Sequence, residues 1–168
     1  DLNSFWIYTL LHSSFVLKNK ILRDKSFELF EILQKNLKNK IYHCYDKGEE
    51  IDVFLEDYAY FALVLVSFYE VTGDIKYLNR SEEILKETWS LFYDEETKTL
   101  QKNSQKTNDL FVKPIDIIDS NIPNGNSIFL LTLNKIFKIT ENNIYKNKIE
   151  NLTKSFYSLI DRNYSQMF

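Results

Sequence analysis

Along the chain, stretches without charge alternate with stretches whose apolar residues recur every three or four positions. Tyr58 to Tyr69 carries no charged residue and reads as apolar on all sides, the pattern of a helix buried by neighbours. Phe5 to Leu17 is similar, softened by His12, Ser13 and Ser14. The segments that follow are amphipathic. Ile84, Leu85, Thr88, Trp89 and Phe92 fall on one stripe, with Glu82, Glu83, Lys86 and Glu87 facing away. These periods predict inner helices near 3–17, 58–72 and 126–140. Outer helices are predicted near 22–38, 75–93 and 143–162. Three segments match in register: Asn3-Ser4-Phe5-Trp6-Ile7, Tyr58-Ala59-Tyr60-Phe61-Ala62 and Asn126-Ser127-Ile128-Phe129-Leu130. The same two offsets carry Leu29-Phe30 onto Ile84-Leu85 and then onto Leu152-Thr153, as expected of a repeated two-helix unit. The expected fold is therefore all-α, three antiparallel hairpins in one domain over 1–168, with buried helices lined by amphipathic ones.

The connections sort into two kinds. Within hairpins they are short: Lys18 to Ile21, Thr72-Gly73-Asp74 and Thr140 to Asn143. Between hairpins they are long, about Asn39 to Asp57 and Asp94 to Gly125. Antiparallel packing puts both long loops at the end where the inner helices begin, and function concentrates on loops held by rigid scaffold. Thr99 to Lys102 and Leu110 to Lys113 are read as a small β-hairpin in the second loop, and Ile41 to Tyr45 as a strand in the first.

Composition agrees with helices and narrows the partners. Only 3 Gly and 2 Pro argue against a turn-rich β fold, and 13 Phe with 11 Tyr supply a heavy aromatic core. The net charge is −3 with Lys and Glu interspersed, so no basic stripe points to nucleic acid. The longest uncharged run falls well short of the roughly 20 residues a membrane span needs. Cys44 is the single cysteine, so no disulfide forms within the chain. Asp1 opens directly into a helical pattern without a signal peptide's basic start. Together these lead to the expectation of a cytoplasmic protein without a membrane partner.

Candidate chemistry gathers at the loop end. Glu56-Asp57 precedes the middle inner helix, and Asp116 and Asp119 precede the next. Two carboxylates about 5 to 10 Å apart across one bond are what glycoside cleavage requires. The plainer reading makes Asp57 the N-cap of a helix starting at Tyr58 and Asp119 a turn residue. Asn124-Gly125-Asn126-Ser127 combines a turn with a helix start, and Asn3-Ser4 repeats the dipeptide. Such side chains cap free amides, and the same amides can hold an anion or a sugar hydroxyl. The expected site has Glu56, Asp57 and Asp119 as catalytic candidates. Asn3, Tyr58, Asn126, Ser127 and Lys113 are its ligand-binding candidates. Trp6, Tyr58, Tyr60 and Phe61 are either a stacking floor for a sugar or plain core. No metal is expected, because His43 and Cys44 are adjacent without a second spaced pair, and His12 fits a hydrogen-bonded core position. No phosphate loop or nucleotide fingerprint appears, and no cofactor is expected.

Several segments also resemble a known family. Phe54-Leu55-Glu56-Asp57-Tyr58-Ala59-Tyr60-Phe61 resembles its FLDDYAF segment, and Tyr69-Glu70-Val71-Thr72-Gly73-Asp74 through Leu78 its YEATGDPKYL segment. Leu91 to Glu96, Val112-Lys113-Pro114, and Asp119 to Ser127 follow in the family's order, and Asp1-Leu2-Asn3-Ser4 is similar to its DWNGL. This is the thioredoxin-fused family that includes the spermatogenesis-associated proteins. The resemblance implies half of an (α/α)6 toroid, similar to six-hairpin glycosidases and N-acylglucosamine 2-epimerases. It implies a carbohydrate-handling or carbohydrate-binding region, with a sugar as ligand. It also implies contacts with further toroid hairpins and a thioredoxin-like domain, or self-association through apolar flanks of the outer hairpins. The epimerase relatives use histidines inside the barrel, and only His12 lies on an inner helix here. The alternative is a non-catalytic helical scaffold for protein or interdomain contacts.

Overall fold

A computed structural model describes residues 1–37, 40–44, 52–105 and 114–163. Among the described residues, six helices pair into three hairpins: α1 (Leu2–Val16) with α2 (Lys20–Leu37), α3 (Leu55–Thr72) with α4 (Ile75–Phe92), and α5 (Gly125–Thr140) with α6 (Asn143–Asn163). Between α4 and α5, β1 (Tyr93–Asp94) and β2 (Thr99–Leu100) form a two-stranded antiparallel ribbon. Helix α3 sits at the centre, packed against α4, α5 and α1. From Tyr58 to Phe68 every residue is buried, which is what an uncharged run should do when neighbours surround it.

Local chemistry sets the hairpin turns. Gly73 ends α3 with φ of 70°, the left-handed conformation in which a glycine has no Cβ to clash. The Asp74 carboxylate then accepts the Lys76 N–H and starts α4. Asn19 and Asn142 do the same for α2 and α6, accepting the N–H groups of Ile21 and Ile144. The outer helices dock through few residues. On α2, only Ser26 and Phe30 are buried, and the Phe30 ring stacks on Phe68 at 4.1 Å. On α4, Ile84, Leu85, Thr88 and Phe92 of the predicted stripe are buried, while its fifth member, Trp89, is half-buried.

Four local expectations need correction. Helix α3 begins at Leu55, not Tyr58. Its first amide is satisfied from far along the chain, because Leu55 N–H donates to the Lys102 carbonyl at 2.9 Å. The strand at Thr99–Leu100 exists, but it pairs with Tyr93–Asp94. The expected partner, Leu110 to Lys113, lies outside the described residues. Residues 41 to 44 form no strand. Finally, α1 is not buried all round: Trp6 is 58% exposed and Val16 69%, on the apolar flank expected of an outer hairpin. On the opposite hairpin, Ile144 and Tyr157 are likewise exposed.

Gly125 fixes how closely α5 approaches α3. A Cβ there would lie 2.8 Å from Leu55 Cγ and 3.1 Å from the Glu56 backbone nitrogen. Gly125→Ala is therefore expected to destabilise the chain by about 1 to 3 kcal/mol through overpacking. Denaturant unfolding would read it as a lower midpoint; an unchanged midpoint would mean that Leu55 yields at no cost.

Candidate functional site

The inner helices all begin at one end, under the two long connections. Asn3, Glu56 and Asn126 each occupy the second position of their helix. Above them two cavities open side by side and share Asp1 and His43 on their walls. The smaller, about 110 Å³, is lined by Asn3, Tyr42, His43, Asp57 and Phe61 among others. The larger, about 360 Å³, is lined by His43, Phe54, Glu56, Lys102, Asp116 and the turn before α5.

Asp57 is the buried pivot between them, its side chain 1% exposed. It is not the N-cap. At the third position of α3 it reaches back to accept the Phe54 N–H at 2.8 Å, the returning half of a capping box. The same carboxylate lies 3.1 Å from His43 Nδ1 and 3.1 Å from the Asp1 backbone nitrogen. The His43 ring is held on its other side, edge-on to Phe54 at 4.8 Å and 88°. The loop that follows α2 thus delivers an imidazole to the rim, tied to a buried carboxylate.

Glu56, one residue earlier, turns towards the larger cleft. Its Oε2 is buried and has no hydrogen-bond partner among the described residues. Lys102 faces the same cleft, paired with Asp116 at 2.9 Å. That pairing, first by the hydrogen bond to Asp116 and further by the charges of Asp116 and Glu56, holds the Lys102 ammonium above the ordinary lysine range against the pull of burial. Lys102 is placed by backbone. Its carbonyl caps α3, and its N–H donates to the Pro114 carbonyl at 2.8 Å. Tyr60 anchors the other side, its hydroxyl donating to the Pro123 carbonyl at 2.7 Å. Burial, then the charges of Asp119 and Glu56, push the Tyr60 phenol up to about 12.

The remaining sequence candidates divide. Asp119 and Ser127 are engaged in starting α5. Asp119 Oδ1 accepts from the Asn124 N–H, the Asn124 side-chain amide and the Ser127 hydroxyl, while Asn124 Oδ1 accepts the Ser127 N–H. Asn124 is therefore the N-cap of α5. Asn126 is buried beneath the rim, donating to the carbonyls of Leu100 and Asp116, with its Oδ1 unpartnered among the described residues. Tyr58 points away from both cavities, its hydroxyl donating to Glu87 on α4 at 3.1 Å. Trp6 faces solvent on the flank, beside Ile32. Lys113 lies outside the described residues. Sequence reasoning missed His43 and Lys102, since neither sits in a periodic pattern and both reach the site by loop geometry.

One ligand atom from each of Asp1, His43 and Asp57 lies within 4.8 Å of the others. Two carboxylates and an imidazole are the donor chemistry of a zinc or manganese site. In this arrangement, however, Asp57 already accepts from Phe54 N–H and faces His43 directly. The triad is a hydrogen-bonded cluster as it stands.

No protein-family model matches the chain. No curated protein matches it either. Solved structures do match in fold. A cellobiose 2-epimerase from Bacillus thermoamylovorans superposes with a TM-score of 0.73 at 16% identity, over 92% of this chain and 43% of that one. A GH76 α-mannanase from Bacteroides thetaiotaomicron gives 0.71 at 15% identity, over 92% and 43%. A polysaccharide lyase gives 0.55 at 15% identity, over 89% and 40%. The chain thus spans less than half the length of each. Identities this low establish the fold: three helical hairpins of an α/α toroid.

Proposed function

We propose that this chain is a carbohydrate-handling or carbohydrate-binding region of an α/α toroid, with a saccharide seated in the larger cleft. The observation that carries the reading is Glu56, which lines that cleft and whose buried Oε2 has no hydrogen-bond donor among the described residues. An unpaired buried carboxylate oxygen costs stability, and a ligand rich in hydroxyl donors relieves it once the Glu56 side chain turns into the cleft. Lys102, Asp116 and His43 add convergent donors and acceptors on the same walls. A cleft of about 360 Å³ is of ligand size. The fold neighbours add support, since their names concern cellobiose, mannan and polysaccharide. The segments that resemble the thioredoxin-fused family support a thioredoxin-like domain as a further partner.

Titration with cellobiose, mannobiose and an acidic oligosaccharide, followed by calorimetry or amide NMR, tests this. Glu56→Gln is expected to weaken the bound sugar by about 10- to 100-fold, the worth of a hydrogen bond to a charged group. The helical signal should be unchanged. Equal affinity in the variant would remove Glu56 from the site, and no binding by any sugar would remove the reading.

The scaffold alternative draws on a separate observation. Trp6, Val16 and Ile32 on one terminal hairpin, and Ile144 and Tyr157 on the other, leave apolar side chains in water. Such faces favour contact with other hairpins, a neighbouring domain or a second copy.

A further inference from the structure

The pairing of His43 with Asp57 has the form of a proton-transfer pair. Asp57 Oδ2 accepts the Phe54 N–H at 2.8 Å, Oδ1 lies 3.1 Å from the Asp1 backbone nitrogen, and both oxygens are within 3.2 Å of His43 Nδ1. A carboxylate accepts and does not donate, so Nδ1 must carry the hydrogen. The lone pair of the neutral ring is then at Nε2. His43 is a third exposed, at 34% of its side chain, and lines both cavities. Phe54 edge-on to the ring and Asp57 at 1% exposure fix its plane. A base needs this combination: a fixed tautomer, a buried counter-charge for the imidazolium, and access to a cleft.

We propose that His43 is the proton-accepting residue of the cleft and that Asp57 is its positioning residue. The inference rests on the saccharide reading for the identity of the ligand, but not for the geometry of the pair. In the step, a hydroxyl O–H of the bound sugar breaks. Its electron pair stays on the sugar oxygen, and the proton forms a new bond at His43 Nε2. The Asp57 carboxylate stabilises the resulting imidazolium without taking the proton itself. The Lys102 ammonium, paired with Asp116 on the wall of the same cleft, adds positive charge near the developing negative oxygen.

Asp57→Asn separates this role from mere capping. The single carbonyl oxygen of Asn would go to the Phe54 N–H, and its amide would then turn a donor towards His43 Nδ1. The ring must respond by moving its hydrogen to Nε2, which abolishes the base while the helix start survives. Nitrogen-15 NMR of the imidazoles reads this directly. The expected result is an Nδ1–H tautomer for His43 in the native chain and Nε2–H in Asp57→Asn, with His12 unchanged as internal reference. Diethyl pyrocarbonate, which acylates a bare imidazole nitrogen, gives the second readout. It should modify His43 at least tenfold more slowly in Asp57→Asn, and more slowly in the native chain when the cleft holds a bound disaccharide. An Nε2–H tautomer in the native chain would overturn the proposal. So would a disaccharide that binds without protecting His43. If no sugar binds, the saccharide reading falls alone, and the tautomer and the acylation rate still decide the pair.

Discussion

Above pH 10 the chain is expected to unfold well before its exposed tyrosines would account for it. Three phenols are buried with acceptors or anions beside them. Tyr58 donates to Glu87, Tyr145 to Glu82 at 2.6 Å, and Tyr60 to the Pro123 carbonyl. Burial is the first cause in each case, and the neighbouring carboxylates add to it, so all three are raised from the ordinary value of 10.0, Tyr60 to about 12 and the other two further. In the folded chain they keep their protons where the unfolded chain has lost them. Stability carried by these groups is complete below pH 10 and is lost as pH rises through the folded values. Each raised phenol removes about 1.4 kcal/mol per pH unit in that window, so three remove about 4 kcal/mol per unit. A domain with about 5 to 15 kcal/mol in hand cannot survive two such units at the lower end of that range. Tyrosinate absorbance and far-UV circular dichroism recorded together provide the check. The expected result is a late, cooperative fraction of the 11 tyrosines ionising as helicity collapses. Gradual titration of all of them near pH 10, with helicity intact, would show that these phenols are not sequestered.

Helix α3 was legible in the sequence because burial on all sides needs no more than an uncharged run, and Tyr58 to Phe68 is one. The outer helices were legible from their stripes, and the hairpin turns from the short connections between the periodic segments. Legibility failed where the deciding partner is distant. Nothing local says that α3 should start at Leu55, because the acceptor of its first amide is the Lys102 carbonyl. That shift matters for the site. The register of the repeat aligned Tyr58 with Asn3 and Asn126, but counting from the observed helix starts puts Glu56 in the equivalent position. Two residues rotate a helical side chain by about 200°, enough to carry Tyr58 out of the rim and into contact with α4. The carboxylates at 56 and 57 were visible as candidates. Their different situations, one lining a cleft and one tied to an imidazole, depend on where a loop returns. Asp119 and Ser127 show the reverse: residues that look chemical in the sequence are occupied by the turn that starts α5.

Phe30→Ala is expected to cost about 3 to 5 kcal/mol, the range for removing a buried aromatic side chain and leaving its cavity. Phe30 is 2% exposed and is one of two buried residues on α2, the other being Ser26. Its ring stacks on Phe68 at 4.1 Å, meets Tyr77 of α4 edge-on at 5.8 Å and lies 6.5 Å from Phe61. A single side chain therefore joins the first hairpin to both helices of the second. At this chain length, 1 kcal/mol corresponds to about 2 to 4 °C, so the thermal midpoint should fall by about 6 to 20 °C. Phe30→Leu keeps an apolar body at the site and should recover most of that loss. The consequence for the rim is what separates Phe30 from an ordinary core residue. Helix α2 leads directly into the loop that carries His43, and Leu33, Leu37 and Phe61 close the smaller cavity beneath it. Loosening α2 should release His43 from Asp57 before the α3–α5 core opens. Hydrogen exchange on Phe30→Ala would then show protection lost first in α2 while α3 stays protected, with the His43 tautomer no longer fixed at Nδ1. Uniform loss of protection across all six helices would instead mean that α2 and α3 open as one cooperative unit.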